Sequence, residues 1–257
     1  EGEITFPQLL SNLVSGDPFK VPGIAFSTDE EFYYTGARPK INLNDFPAFP
    51  YWRRLFNPIE ISRGCNYACF YCQTPFLHGA WMRHRSVENI VLNVEKMVER
   101  GLRDIRFITP NALAYGSKQR GEINYSKIEE LLSSIKNLGR TRIFYGSFPS
   151  EVRPEYVTLE VLDILRKYVD NKRVVIGGQS GSQRILKIIH RGHTKEDVEK
   201  AVVYLRDRGF RPEVDFILGL PFETIEDQEE TVKFIEKLVE MGAIIHIHYY
   251  MSLPSTP

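Results

Sequence analysis

From residue 58 the chain alternates short β-branched or aromatic runs with amphipathic helical stretches. That alternation limits the folds open to it more than any other feature. The runs are NPIEIS, DIRFIT, RIFYGS, RVVIGGQS, EVDFILGLP and AIIHIHYYMS. Between them, SVENIVLNVEKMVERG places Val87, Ile90, Val91, Val94 and Val98 at helical spacing and ends at Gly101, while SKIEELLSSIKNLG puts Ile128, Leu131, Leu132 and Ile135 on one face. LEVLDILRKYV, SQRILKIIHRG, TKEDVEKAVVYLRDRG and TIEDQEETVKFIEKLVEMG supply the remaining helices. Ser126 with Glu129, Thr194 with Asp197 and Thr224 with Asp227 have capping-box spacing and are expected to fix three helix starts. Strands alternating with helices mean parallel βαβ units. Right-handed crossovers curl six of them into an open sheet or an incomplete barrel. In such folds the functional site lies at the C-terminal ends of the strands.

Residues 1–57 read differently. Leu9, Leu10 and Leu13 suggest one short helix, VPGIAFSTDEEFYYTGARPKI a hairpin with Ile24, Phe26, Phe32 and Tyr34 in its strands, and NDFPAFPYW a proline-rich tether. The expected organisation is an irregular extension over 1–57 and a core domain over 58–257. The chain opens at Glu1 rather than methionine and stops just after a strand signal, so an excised domain is expected.

The 33 basic and 33 acidic side chains cancel, which argues against a broad nucleic-acid footprint. Arg83, His84 and Arg85 form one local basic cluster, read either as solvated loop charge or as a small basic patch. No stretch approaches the roughly 18 apolar residues of a membrane span, and no signal peptide is visible. A cytoplasmic protein without a membrane partner is expected.

All three cysteines, Cys65, Cys69 and Cys72, stand in the single stretch SRGCNYACFYCQTP, directly after the first strand of the core. An odd count with no partners elsewhere suits a metal site in a reducing compartment better than a disulfide framework. Zinc is one reading, but a structural zinc site wants four protein ligands, and only His78 is near enough in sequence to complete the set. An ordinary electron-transfer cluster is a second. The third is a four-iron cluster held by three thiolates, which leaves one iron open to bind and activate a small molecule.

The spacing CxxxCxxC, with Tyr71 just before the last cysteine, resembles the radical S-adenosylmethionine (SAM) superfamily. The resemblance covers roughly residues 58–257. ITPNALAYGS, GGQSGSQRILKIIHRGHT, DFILGLPFET and LPSTP look like successive blocks of its methylthiotransferase-like branch. EGEITFPQLL and the hairpin segment look instead like the stretch that joins a cobalamin-binding domain to a radical SAM domain. The closest resemblance is therefore to the cobalamin-binding/radical SAM class, with a methylthiotransferase-like core. It implies an α/β fold, an incomplete (β/α)6 TIM-like barrel of parallel strands with a small irregular N-terminal extension. It also implies a [4Fe-4S] cluster on Cys65, Cys69 and Cys72, SAM on the open iron, reductive cleavage of SAM to a 5′-deoxyadenosyl radical, and an electron donor such as ferredoxin or flavodoxin. Cobalamin would come through a domain outside this chain, and the reaction implied is methyl transfer to an unactivated carbon. The alternatives are methylthiolation of RNA or protein, and a non-catalytic metal-stabilised binding module.

Strand alternation adds further candidates, because alternate side chains of a barrel strand face its interior. His246, His248 and Tyr250 should face the lumen while the neighbouring isoleucines pack on helices. Tyr145 shares a face with Ser147, Gln179 with Gly177 and Val175, and Asp215 with Ile217. Tyr145, Asp215, His246 and His248 are the lumen candidates for catalysis. The resemblance implies SAM contacts at Tyr71, at Thr109 and Asn111 ending the second strand (with no GGE there), at Gln179 and Ser180, at Arg191 of the RGHT block, and through the backbone of Gly219. Ser147 joins them from the third strand. Trp81 and Met82 either shield the cluster or anchor its loop.

Overall fold

A computed structural model describes residues 1–27, 29, 31–254, 256 and 257. Thr28 and Glu30 in the expected hairpin and Ser255 in the LPSTP block lie outside the described residues. The chain forms two compact units, residues 1–46 and 47–257, so the second begins ahead of residue 58. In the first, α1 (Gly2–Ser15) precedes an antiparallel pair, β1 (Ala25–Ser27) and β2 (Phe32–Tyr34). Gly23 N donates to Gly36 O at 2.8 Å at the base of the pair, and Phe26 stacks on Tyr33.

The second unit carries the alternation. Its elements are β3 (Ile59–Glu60), β4 (Ser62–Arg63), α2 (Thr74–His78), β5 (Arg83–His84), α3 (Val87–Val98), β6 (Asp104–Ile108), α4 (Tyr125–Lys136) and β7 (Arg142–Phe144). There follow α5 (Leu159–Tyr168), β8 (Arg173–Gln179), α6 (Gln183–Ile188), α7 (Lys195–Asp207), β9 (Arg211–Leu218), α8 (Ile225–Glu240) and β10 (Ile244–Tyr249). Six strands pair in parallel as β3-β6-β7 and β8-β9-β10. The two sheets are joined through residues 146–152. Val175 N donates to Gly146 O at 2.9 Å, Val152 N to Val175 O at 2.8 Å, and Gly177 N to Val152 O at 3.1 Å. Among the described residues β3 and β10 each have one paired neighbour, so the six strands make an incomplete barrel, as expected.

The apolar stripes of the helices account for the core. Val87, Ile90 and Val94 of α3, Ile128, Leu131, Leu132 and Ile135 of α4, and Val161, Leu162 and Leu165 of α5 are all buried. They pack against Ile105, Phe107, Ile143 and Ile176 of the strands. Removing a full side chain of this kind from water stabilises by about 1.5–3 kcal/mol. Both Thr194–Asp197 and Thr224–Asp227 form complete capping boxes. The third expectation is corrected. α4 is capped by Asn124, whose side chain accepts from Lys127 N at 3.1 Å and also from Ser126 Oγ at 2.9 Å. Asn is as good a cap as Ser, and here it takes the position two residues earlier. On β10, Ile245 packs against the core as expected, but Ile247 is half exposed at 52%. Among the described residues, no helix is long and apolar enough to cross a membrane.

Candidate functional site

The cysteine loop is clamped at its base. β4 pairs with β5 in antiparallel register, Ser62 opposite His84 and Arg63 opposite Arg83, so residues 64–82 leave and return at one place. This corrects both readings of the basic cluster. His84 accepts or donates at Ser62 Oγ (2.8 Å) and Ser117 O (3.0 Å), and Arg85 is 3% exposed with Nε donating to Glu60 O at 3.1 Å. Gly64 has φ +86°, and a Cβ there would overlap the carbonyl oxygen of Trp81 and lie 3.1 Å from that of Gly79. Only glycine fits this turn.

Within the loop, Cys65 N donates to Gly79 O at 3.2 Å and Cys72 N to Cys69 O at 3.1 Å. Phe70 N donates to Ile189 O at 3.0 Å, and its ring lies 3.9 Å from that of His190, which ties the loop to the end of α6. The three thiols are free and line one cavity of about 640 Å³. Burial pushes the Cys65 thiol up, an effect that coordination to iron reverses by deprotonating the sulfur. Among the described residues, no three His, Cys, Asp or Glu side chains gather closely enough to hold a single metal ion. A cluster that offers a separate iron to each thiolate does not ask that of them. Trp81 is 56% exposed and Met82 packs against the core, so of the two only Met82 acts as an anchor.

Across the cavity the strands present polar groups. Position 177 is left empty by glycine, since a Cβ there would collide with Arg191 Nη2 and lie 2.6 Å from Gln179 Nε2 and 2.7 Å from Glu151 Oε2. The missing side chain is thus replaced by a guanidinium, an amide and a carboxylate arriving from three other places. Arg191 is 7% exposed, donates from Nη2 to Gly177 O at 2.8 Å, and has Nη1 3.8 Å from Cys69 Sγ. Its Nε is buried without a partner, a donor left for a ligand. Burial works against its charge, but Tyr71, Cys69, Glu151 and Glu155 hold its proton affinity above the usual arginine range. Burial raises the Glu151 carboxyl, Arg191 opposes it, and the nearby Asp215 carboxylate adds to it. Asp215 is raised by burial as well, with His248 and His246 opposing; His246 Nδ1 stands 3.2 Å from Asp215 Oδ1.

The cavity therefore gathers Cys65, Cys69, Cys72, Tyr71, Gln179, Arg191, Asp215, His246, His248 and Tyr250 from the sequence reading. Tyr71 is half-buried, and the burial of its hydroxyl raises it above the usual range. Other candidates stand elsewhere. Tyr145 is fully buried in the apolar core and donates to Ala112 O at 2.6 Å. Ser147 is 8% exposed, its hydroxyl unpartnered, and it does not line the cavity. Thr109 Oγ1 donates to Asn111 O at 3.3 Å, and Asn111 Oδ1 accepts from Arg153 N at 3.3 Å, so this pair braces the loop after β7. Ser180 passes beneath the site, its hydroxyl 3.3 Å from Thr231 Oγ1. Gly219, with φ +76°, turns the chain after β9 and donates from N to Glu223 Oε2 at 2.7 Å.

Sequence reasoning missed Glu151, Arg153, Glu213 and Tyr67, all of which line the cavity. One signal was present. EVRPE places three charges directly after the third strand, at the end of the barrel where a site belongs.

A family model described as the Radical SAM superfamily matches residues 59–235. Among curated proteins, the tRNA-2-methylthio-N(6)-dimethylallyladenosine synthase of Moorella thermoacetica is 32% identical over 182 residues, covering 70% of this chain and 40% of its own length. That of Thermotoga petrophila is 31% identical over 218 residues, covering 83% and 45%. The chain spans less than half the length of these relatives. Among solved structures, the cobalamin-dependent S-adenosylmethionine radical enzyme OxsB has a TM-score of 0.71 at 20% identity, over 92% of this chain and 35% of its own. The radical S-adenosylmethionine methyltransferase TsrM from Kitasatospora setae has a TM-score of 0.70 at 18% identity, over 96% and 50%.

Proposed function

The chain belongs to the radical SAM superfamily of enzymes, which use a [4Fe-4S] cluster and SAM, and on that premise we propose that it transfers a methyl group to an unactivated carbon. Cys65, Cys69 and Cys72 would hold the cluster, and the donor set fits: three free thiols, no single-ion site among the described residues, and one shared cavity. When bound, the cluster supplies the electron that cleaves SAM to a 5′-deoxyadenosyl radical.

The observation that carries this reading is the convergence of Arg191 and Gln179 with the three cysteines on one cavity. The guanidinium of Arg191, whose Nε has no partner, would offer SAM's carboxylate a charge-assisted hydrogen bond. Gln179 and Glu151 sit where they can take hydrogen bonds from SAM's remaining polar groups. Tyr71 lines the wall of the cavity beside the cysteines. His246, oriented by Asp215, and His248 face the space left for substrate. An electron donor such as ferredoxin or flavodoxin would bring the electron, and the cytoplasm would keep the thiols reduced.

Methyl transfer with cobalamin is supported by the reach of the structural likeness. OxsB and TsrM match over 92% and 96% of the chain, whereas the Moorella and Thermotoga synthases match over 70% and 83%. The second reading, methylthio transfer, is favoured by the 32% identity to that synthase. The test is mass spectrometry of a host cell extract treated anaerobically with the reconstituted protein, SAM, hydroxocobalamin and dithionite. A product heavier by one methyl group supports the proposal. A product heavier by one methylthio group, formed also when hydroxocobalamin is omitted from a parallel reaction, overturns it in favour of the second reading.

A further inference from the structure

Arg153 is 3% exposed. A full charge at that depth is costly unless it is paired and hydrogen-bonded, and here each of the three nitrogens has a contact. Nε donates to Glu155 Oε1 at 2.6 Å, Nη2 donates to the Arg191 carbonyl, and Nη1 lies 3.8 Å from Cys69 Sγ. The guanidinium stacks over Tyr67, 3.4 Å from the ring centroid. Tyr67 is itself held, its hydroxyl donating to Tyr156 Oη at 3.3 Å, while Tyr156 Oη accepts from Gly121 N at 2.7 Å. The backbone is fixed as well, through Arg153 N and Asn111 Oδ1. So much bracing is not needed for an ion pair with Glu155. Its consequence is a positive charge that cannot swing away from the sulfur of Cys69.

We propose that Arg153 is a positioning residue for the cluster: it keeps a fixed cation and an N–H donor on the Cys69 sulfur and thereby makes the cluster easier to reduce. The proposal rests on the reading that the three cysteines hold an iron–sulfur cluster. Uptake of one electron adds negative charge to the cluster and its thiolates. A cation and a hydrogen bond at one of those sulfurs stabilise the reduced state more than the oxidised one. Glu155 acts in the opposite sense, because its carboxylate offsets part of the Arg153 charge from 2.6 Å away.

The test is an anaerobic redox titration of the reconstituted protein without SAM. Dithionite is the reductant, and electron paramagnetic resonance counts the reduced cluster. Arg153→Gln should weaken the cluster's hold on its electron about tenfold, a shift of about 59 mV to more negative potential. Arg153→Lys, which keeps the charge and loses the fork, should shift it less. Glu155→Gln should shift it the other way, an outcome that a merely structural role for the pair does not produce. If Arg153→Gln assembles no cluster, Arg153→Lys and Glu155→Gln decide the matter. Midpoints equal to wild type, or Glu155→Gln moving in the same direction as the Arg153 variants, would overturn the proposal. Iron and sulfide analysis of wild type separates this failure from that of the cluster reading: a wild type without sulfide overturns both.

Discussion

Two glycines at the site differ in kind, and the difference can be measured. Gly64 has a positive φ and faces three backbone carbonyls, those of Trp81, Gly79 and His78, which cannot move aside. Gly177 lies in a strand and faces three side chains. Gly64→Ala should destabilise the protein by about 2 kcal/mol or more, from the left-handed backbone alone plus the clash, and should lower cluster content. Gly177→Ala should leave iron and sulfide content unchanged but displace Arg191, weakening SAM binding about tenfold, or about 1.4 kcal/mol. Denaturant midpoints and equilibrium dialysis against SAM check the pair. Equal SAM affinity in Gly177→Ala would mean that Arg191 does not need the space the glycine leaves.

The same scale shows what the sequence could and could not tell. The cysteines, Gln179 and Arg191 were legible because a motif marks each one's place: the cysteines after a strand, Gln179 at the end of β8 and Arg191 in the turn between α6 and α7. Tyr145 was misplaced because strand alternation was carried past the end of β7. That strand stops at Phe144, and Gly146, at φ +66°, turns the chain, so Tyr145 rotates into the core. A register shift between Gly177 and Gln179 similarly leaves Gln179 in the cavity, at φ +70°, and sends Ser180 under it. Glu151 and Arg153 stand in a stretch with no period to read, and only the fold brings them beside Cys69 and Arg191.

At the level of elements, helix positions were readable from their apolar faces, and helix starts only in part. The capping boxes of α7 and α8 formed as their spacing demanded, while α4 took Asn124 in place of Ser126. Two stronger acceptors competed for one turn, and the residue nearer the preceding loop prevailed. Losing a cap costs about 1 kcal/mol. Asn124→Ala should therefore lower unfolding free energy by about that much, and Ser126→Ala by a few tenths at most. Urea denaturation of the two variants reads this directly; the reverse order would put the helix start at Ser126. The antiparallel pairing of β4 with β5 was not legible: Ser62 was read as the end of the first strand run, and the two residues of β5 carry no periodicity. Its role is plain only in the fold, where it closes the cysteine loop at its base.

For the molecule as a whole, the neutral charge balance hides a pH dependence that comes from burial. His193 is buried, and desolvation, with Arg191 and Arg153 adding to it, lowers its proton affinity well below the ordinary histidine value. Burial lowers that of His84 too, with the Ser117 carbonyl opposing. Both are favoured neutral in the folded state, while the unfolded chain takes up protons near pH 6.5. Stability is therefore fully present above about pH 6.5 and is lost progressively as the pH falls toward the depressed folded values. Unfolding free energy measured at about pH 7.5 and about pH 5.5 should fall on acidification, and should fall less in His193→Gln. An equal loss in the variant would mean that His193 is not the group responsible. At this scale the six-strand open barrel was legible because alternation and handedness leave little choice. The cavity's polar lining was legible where a motif marked it, at the cysteines and Arg191, or where strand alternation was followed, at Asp215, His246 and His248, and not at Glu151, Arg153 or Glu213.

The central claim is that Cys65, Cys69 and Cys72 hold a cluster at which SAM is reductively cleaved. The direct measurement is anaerobic. The reconstituted protein is incubated with SAM and dithionite, and 5′-deoxyadenosine is quantified against a Cys69→Ala control. The account predicts 5′-deoxyadenosine from wild type and none above background from the variant. A protein that binds zinc without sulfide, or product that persists in Cys69→Ala, would contradict it.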